Sequence, residues 1–389
     1  MAATAGRDVY IVEAVRTPIA RGKANGALHN MHPVSLLAQT LAELVSRANV
    51  SPEHIEDVIG GVVTPKGKQG ANVPRLALLK AGFPVSVPGV QINRMCGSSQ
   101  QAAHFAAQAI ASGDMDVVVA SGVEMMSVEK MGSDVSMDGL SELVADGFPH
   151  QLVHQGQSAE LVAEKSTSLM SHARASAAIA AGHFNAQTFP ITVTDADGRE
   201  SVFSRDEGVR ASIDRTKMAQ LRTIFKADGV VTAGNASQVS DGAAAVLFAS
   251  GPAADALGLR KRARVVTRVV VGSDPVLMLD GVIPATRKAL KAAGLTIEDI
   301  DVIEINEAFA SVVLAWRKAL APRDGLARVN PNGGSIAHGH PLGATGCVLL
   351  TKAVHELERI AGRYALVVMC IGHGQATCTI IERVTSSKL

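Results

Sequence analysis

The sequence predicts an α/β protein of two duplicated halves, with a further domain inserted in the first. Three observations carry this. Ile55-Glu56-Asp57-Val58-Ile59 lines up with Ile300-Asp301-Val302-Ile303-Glu304, Gly97 with Gly343, and Val117-Val118-Val119 with Leu366-Val367-Val368, in order and at roughly 245–250 residues apart. Each copy alternates strand-like and helical patterns, which predicts a largely parallel sheet with helices on its faces. Between the copies the composition shifts toward Ser, Asp, His and Gln, and periodicity weakens. The expected boundaries are 1–124 with 239–260 for the first half, 125–238 for the inserted loop domain and 261–389 for the second half.

Taken in order, Asp8-Val9-Tyr10-Ile11-Val12 reads as a strand and Glu13 to Pro18 as a turn. Pro33 to about Ala48 carries Leu36, Leu37, Leu41, Leu44 and Val45 at helical spacing. Ile55–Val63 is a strand leaving through glycines, followed by a helix near Asn72–Ala81 and a strand near Gly89–Asn93. A helix should then run to about Ser112, and Asp116–Gly122 is an apolar run of the kind covered on both faces. Core-like sequence returns at Asn235–Leu247, and Val302–Ile305 and Ala365–Met369 are the later strands.

Hydrophobic residues make up 47% and charged residues 19%, which describes a well-buried globular chain. Basic and acidic residues balance at 37 against 36, which argues against a general nucleic-acid or membrane surface. No apolar run reaches the ~18 residues needed to span a bilayer. Four cysteines without C-x-x-C pairing form neither a disulfide framework nor a metal site, so reduced thiols and no metal are expected. The final Ser387-Lys388-Leu389 matches a peroxisomal address, which predicts an import receptor as partner, with the cytoplasm as the alternative.

The chemistry gathers at four places. Cys96, in Arg94-Met95-Cys96-Gly97-Ser98, heads a helix, where free N–H groups and the macrodipole favour thiolate. It reads as a nucleophile or as a buried packing residue. Asn306-Glu307 follows a strand, where open α/β sheets place their ligand crevices, though Asn there also suits a helix cap. His340, in Gly339-His340-Pro341-Leu342-Gly343, occupies the repeat's counterpart of the cysteine site and reads as a base. His338 is open between a surface and a supporting role. Cys370-Ile371-Gly372-His373-Gly374 follows another strand, and lacks the third glycine and distant acid of a dinucleotide fingerprint.

These four motifs, in this order and over essentially the whole chain, resemble those of thiolases. The resemblance implies the thiolase fold (layered αβαβα), a homodimer or homotetramer, and acyl-CoA and CoA as substrates in fatty-acid metabolism, with no permanently bound cofactor. It implies Cys96 as the acylated nucleophile, His340 as its base and Cys370 as the second acid/base. His340, and Asn306 through a water, would hold one thioester oxygen, and the N–H groups of Cys96 and Gly372 the other. It further implies that Ser237, Arg210, His154 and Phe225 contact CoA, and that Met278 and Phe309 wall the acyl pocket. Three departures bear on acyl-chain preference: His373 stands in place of a glycine, Met278-Leu279-Asp280-Gly281-Val282 lacks the usual Met-Gly-x-Gly-Pro, and Gln155 stands where short-chain members often carry Met. A decarboxylating 3-ketoacyl synthase, the nearest alternative, normally carries a Cys-His-His set and no second cysteine.

Overall fold

The computed structural model describes residues 6–162, 168–195 and 197–385; Ser387-Lys388-Leu389 lies outside them. The first half runs through β1 (Val9–Arg16), β2 (Ala20–Arg21), α1 (Pro33–Ala48), β3 (Asp57–Gly61), α2 (Val73–Lys80), β4 (Gly89–Ile92), α3 (Ser98–Ser112) and β5 (Val117–Met125). Then come α4 (Met137–Ala145), α5 (Gln155–Leu161), α6 (Ser168–Ala180), a hairpin of β6 (Ile191–Thr194) and β7 (Glu200–Phe203), and α7 (Arg215–Ala219). The chain returns to the sheet with β8 (Ser240–Ser250) and α8 (Gly251–Ala256). The second half comprises β9 (Ala263–Gly272), α9 (Val282–Ala293), β10 (Val302–Ile305), α10 (Ala310–Leu320), α11 (Ser335–His338), α12 (Thr345–Ile360), β11 (Tyr364–Ile371) and β12 (Gln375–Arg383).

Among the described residues ten strands form one sheet, in the order β10-β11-β12-β9-β1-β8-β5-β3-β4 with β2 beside β8. β3 is parallel to β4 and β5, whereas β8 is antiparallel to β5 and β1. The second half repeats this: β10 and β11 are parallel, and β12 is antiparallel to β11 and β9. The halves meet where Tyr10 and Ile11 of β1 pair with Arg264 and Ala263 of β9. The counterpart of β4 is reduced to one parallel bridge, Ile303 to Val329.

The sheet is therefore mixed, not largely parallel. The reason is local: β11 reaches β12 through Gly372-His373-Gly374 alone, far too short a connection for a parallel crossover. β1 also runs on through Arg16, across residues expected to turn. Arg16 is buried because the Asp206 carboxylate takes its guanidinium at 2.8 Å, so a charged residue within the expected turn is neutralised inside the fold.

α3 and α12 pack on each other between the two half-sheets, while α1 and α2 cover the outer face of the first half and α9, backed by α10, that of the second. Small residues make the central layer possible. A methyl group on Gly122 would lie 2.1 Å from the Gly343 carbonyl oxygen, and one on Gly346 2.1 Å from the Gln100 nitrogen. The Cys347 N–H donates to Ser99 Oγ at 3.0 Å, tying the first turns of α3 and α12 side by side. Cys96 and His340, each just ahead of one of these helices, are thereby brought to the same end of the molecule.

Candidate active site

Cys96 stands two residues before the first residue of α3, on a loop strained by Met95 at φ 45°. Positive φ costs a non-glycine residue roughly 1–2 kcal/mol and persists where the surroundings over-determine it. The thiol is buried, with the Gln155 side chain and the backbone N–H groups of Cys96 itself and Gly372 placed as donors that favour its thiolate. Helix-start electrostatics alone would lower its pKa. Burial wins instead and pushes the Cys96 thiol up to about 11, with the Glu124 carboxylate adding to the rise. At rest Cys96 is a thiol. The expected thiolate forms only as a base takes its proton.

His340 is the candidate base, and its hydrogen bonds fix which nitrogen is open to a proton. Thr345 Oγ1 donates its single proton to the Pro341 carbonyl at 2.8 Å, so toward His340 Nδ1, 2.6 Å away, it can only accept. The ring proton is therefore on Nδ1, and Nε2 is unprotonated, its lone pair accepting from the Asn306 side chain. Nε2 lies 3.3 Å from Asn306 Nδ2. The amide is oriented by Ser335 Oγ, which donates to Asn306 Oδ1 at 2.6 Å and turns the NH2 toward the histidine. Burial lowers His340 to about 4, which keeps it neutral near pH 7. Once protonated, Nε2–H and Asn306 Nδ2–H form a pair of donors suited to an oxygen that gains charge.

Cys370 lies inside β11, not after it, and its end of the strand adjoins Asn306, whose N–H bonds the Val368 carbonyl at 3.0 Å. Burial, then the charge of Cys96, raise its thiol well above the usual range. The following turn brings the Gly372 N–H to the Cys96 sulfur. His373 completes that turn with its side chain exposed and φ at 59°, a conformation that favours glycine.

His338 has a supporting place. Its ring nitrogens lie 2.8 Å from Asp206 Oδ2 and 2.8 Å from the Asn332 carbonyl, tying the inserted segment to the His340 loop. Burial raises the Asp206 carboxyl, but Arg16 and His338 outweigh it and hold the group well below the ordinary range. On the other side, Glu124 accepts from the N–H groups of Val63, Thr64 and Gly343 at 2.8, 3.1 and 2.9 Å, fixing the His340 loop to the end of β5.

Among the residues expected to meet CoA, His154 caps α5 and stacks on Phe225 with ring centroids 4.9 Å apart, and Phe225 meets Phe309 edge-on at 6.1 Å. The Ser237 N–H donates to the Ala308 carbonyl at 2.9 Å, which places Ser237 beside the Phe309 end of this row. Met278 is buried in the core of the second half. Arg210 is exposed, and its contact is with the inserted segment: its N–H faces His172 Nδ1 at 3.3 Å. Sequence reasoning missed Thr345 and Ser335 as orienting groups, and named Gln155 only as a departure. The hydroxyls after His340 and before Ala337 were the available signal.

Family models for the thiolase N-terminal domain and the thiolase C-terminal domain match residues 9–251 and 259–383. The chain is 47% identical to a steroid 3-ketoacyl-CoA thiolase, FadA6, of Mycobacterium tuberculosis, over 97% of this chain and 94% of that one. It is 41% identical to a β-ketoadipyl-CoA thiolase of Acinetobacter baylyi, over 97% and 100%. Its fold superposes on the crystal structure of the Bacillus anthracis acetyl-CoA acetyltransferase with a TM-score of 0.88, at 38% identity, covering 98% of this chain and 100% of that one.

Proposed function

The chain belongs to the thiolase family, and from that premise we propose that it is an acyltransferase catalysing the reversible, CoA-dependent cleavage of 3-oxoacyl-CoA to acetyl-CoA and a shortened acyl-CoA. The observation that carries this reading is the pair of thiols, Cys96 and Cys370, set against a histidine whose Nε2 is held unprotonated. In cleavage, Cys96 gives its proton to His340 Nε2 as its sulfur attacks the 3-oxo carbon. The N–H groups of Cys96 and Gly372 receive the oxyanion. As the carbon–carbon bond breaks, protonated His340 and Asn306 hold the enolate oxygen of the leaving acetyl-CoA, and Cys370 protonates its carbon. CoA then takes the acyl group from Cys96. Its thiol proton returns to Cys370, and His340 reprotonates Cys96. CoA is a substrate throughout. Fixed donors in so dry a site can contribute several kcal/mol to each oxyanion.

His154, Phe225, Ser237 and Phe309 form the proposed wall for the pantetheine arm, with Met278 toward the acyl group and exposed Arg210 toward the phosphate-bearing end. β4 is an open sheet edge, and Leu76, Leu79, Val85, Val90 and Phe105 are exposed on and around it, which supports a homodimer formed there. The bacterial origin of the relatives above favours the cytoplasmic alternative over an import receptor reading Ser387-Lys388-Leu389. Thiolysis of acetoacetyl-CoA and longer 3-oxoacyl-CoA thioesters, followed by loss of thioester-enolate absorbance, tests the reaction. Consumption of a malonyl thioester in place of CoA-dependent cleavage would assign the chain to condensing synthase chemistry instead.

A further inference from the structure

Two of the three donors on the Cys96 sulfur are backbone groups that the proposed mechanism uses. The third, the Gln155 side chain, has no role in it. Gln155 is the first residue of α5, in the inserted segment. That helix is fixed in place: Ser158 Oγ donates to the Val276 carbonyl at 2.6 Å, and the Glu160 carboxylate takes the N–H groups of Val230 and Val231 at 2.7 and 2.9 Å. Gly156 lies flat against Phe225, since a methyl there would come within 2.3 Å of the ring. The amide end of Gln155 lies over the turn after Cys370, because a methyl on Gly372 would sit 3.4 Å from Nε2 and 2.5 Å from Met95 Sδ. Among the described residues the Gln155 amide makes no other hydrogen bond than the one to Cys96.

We propose that Gln155 is a positioning residue for the nucleophile: its side-chain N–H donates to Cys96 Sγ, holds the thiol toward the Gly372 turn and preferentially stabilises the thiolate. The proposal rests on the reading of Cys96 as the nucleophile. A hydrogen bond to an ion is stronger than one to its neutral form, so a donor aimed at sulfur favours the deprotonated state. A buried thiolate has little water to replace that donor. The amide is also neutral, so its contribution does not titrate. Because Gln155 belongs to the inserted segment, the effect links the placement of α5 to the reactivity of a cysteine in the first half.

The test is the pH dependence of Cys96 alkylation by iodoacetamide, read on the Cys96 peptide by mass spectrometry, in the full-length protein. In Gln155→Met the midpoint should move up by about one pH unit, which is a roughly tenfold slower reaction at a fixed pH below the midpoint. Gln155→Glu, nearly isosteric, should move it further up, since a carboxylate replaces the donor, and Gln155→Lys should move it down. Thiolysis kcat should fall in the Met variant while KM for CoA holds. An unmoved midpoint in both the Met and Glu variants overturns the proposal. So does an equal shift of one sign in all three, which would report a packing change. Should the Met variant melt early, the Glu and Lys pair carries the test by its opposite signs. Alkylation needs no turnover, so it remains interpretable if the wild-type protein forms no acyl-enzyme, a result that would count against the functional reading instead.

Discussion

Replacing Thr345 with Val tests the orientation of His340 directly. The substitution keeps the shape of a buried side chain and removes only the oxygen that accepts His340 Nδ1–H at 2.6 Å. The Pro341 carbonyl stays satisfied, because it also accepts from the Ala344 and Thr345 N–H groups at 2.9 and 3.0 Å. The change therefore falls on the histidine. An unsatisfied buried N–H costs about 1–3 kcal/mol, and that penalty favours moving the proton to Nε2, the nitrogen that must act as base. Taking about 2 kcal/mol, and 1.36 kcal/mol per decade of rate, kcat/KM for thiolysis should fall roughly 30-fold. Thr345→Ser retains the oxygen and should stay near wild type. Steady-state thiolysis of acetoacetyl-CoA with melting curves for all three proteins decides the matter. A Val variant within about twofold of wild type, or a Ser variant that loses as much as Val, would refute the tautomer argument.

Two further outcomes follow from the same structure. Glycine in place of His373 relieves the positive φ of 59° and should stabilise the protein by about 1 kcal/mol, seen as a melting temperature higher by about 1–2 °C with thiolysis little changed; a lower melting temperature would show that the side chain holds the turn. Acid should destabilise the fold before it silences the base. Burial lowers His104 to about 3 and His172, His340 and His355 to about 4, so the unfolded chain binds these protons first. Their stabilisation is complete above the unfolded pKa near 6.5 and is lost as pH falls from there to about 4, whereas thiolysis at temperatures below melting should lose the His340 base only near pH 4. Melting temperatures unchanged between pH 6.5 and 4 would contradict this.

The duplication was legible because both copies keep an apolar strand and a small-residue helix start, and these pack on one another through Gly122, Gly343 and Gly346. Cys96, Asn306, His340 and Cys370 could be singled out for a related reason: each stands at the end of a strand or the head of a helix, where sequence patterning breaks. What failed were inferences that needed tertiary context. Arg16 and its neighbours looked like a turn because the sequence does not display Asp206 as their partner. The helix-start argument gave Cys96 a low pKa because burial is not visible in a local segment. Strand direction followed from the tight Gly372–Gly374 turn, which a repeat spacing does not encode. Thr345, Ser335 and Gln155 act by orienting other groups, and only the fold brings each beside the group it orients.

In the proposed reaction Cys96 carries the acyl group. Mixing the protein with a 3-oxoacyl-CoA in the absence of free CoA, quenching in acid and mapping peptides by mass spectrometry measures it directly. An added acyl mass is expected on the Cys96 peptide, discharged when CoA is supplied and absent in Cys96→Ser. Acyl mass on Cys370 or another residue, or turnover with no acyl-protein at all, would contradict it.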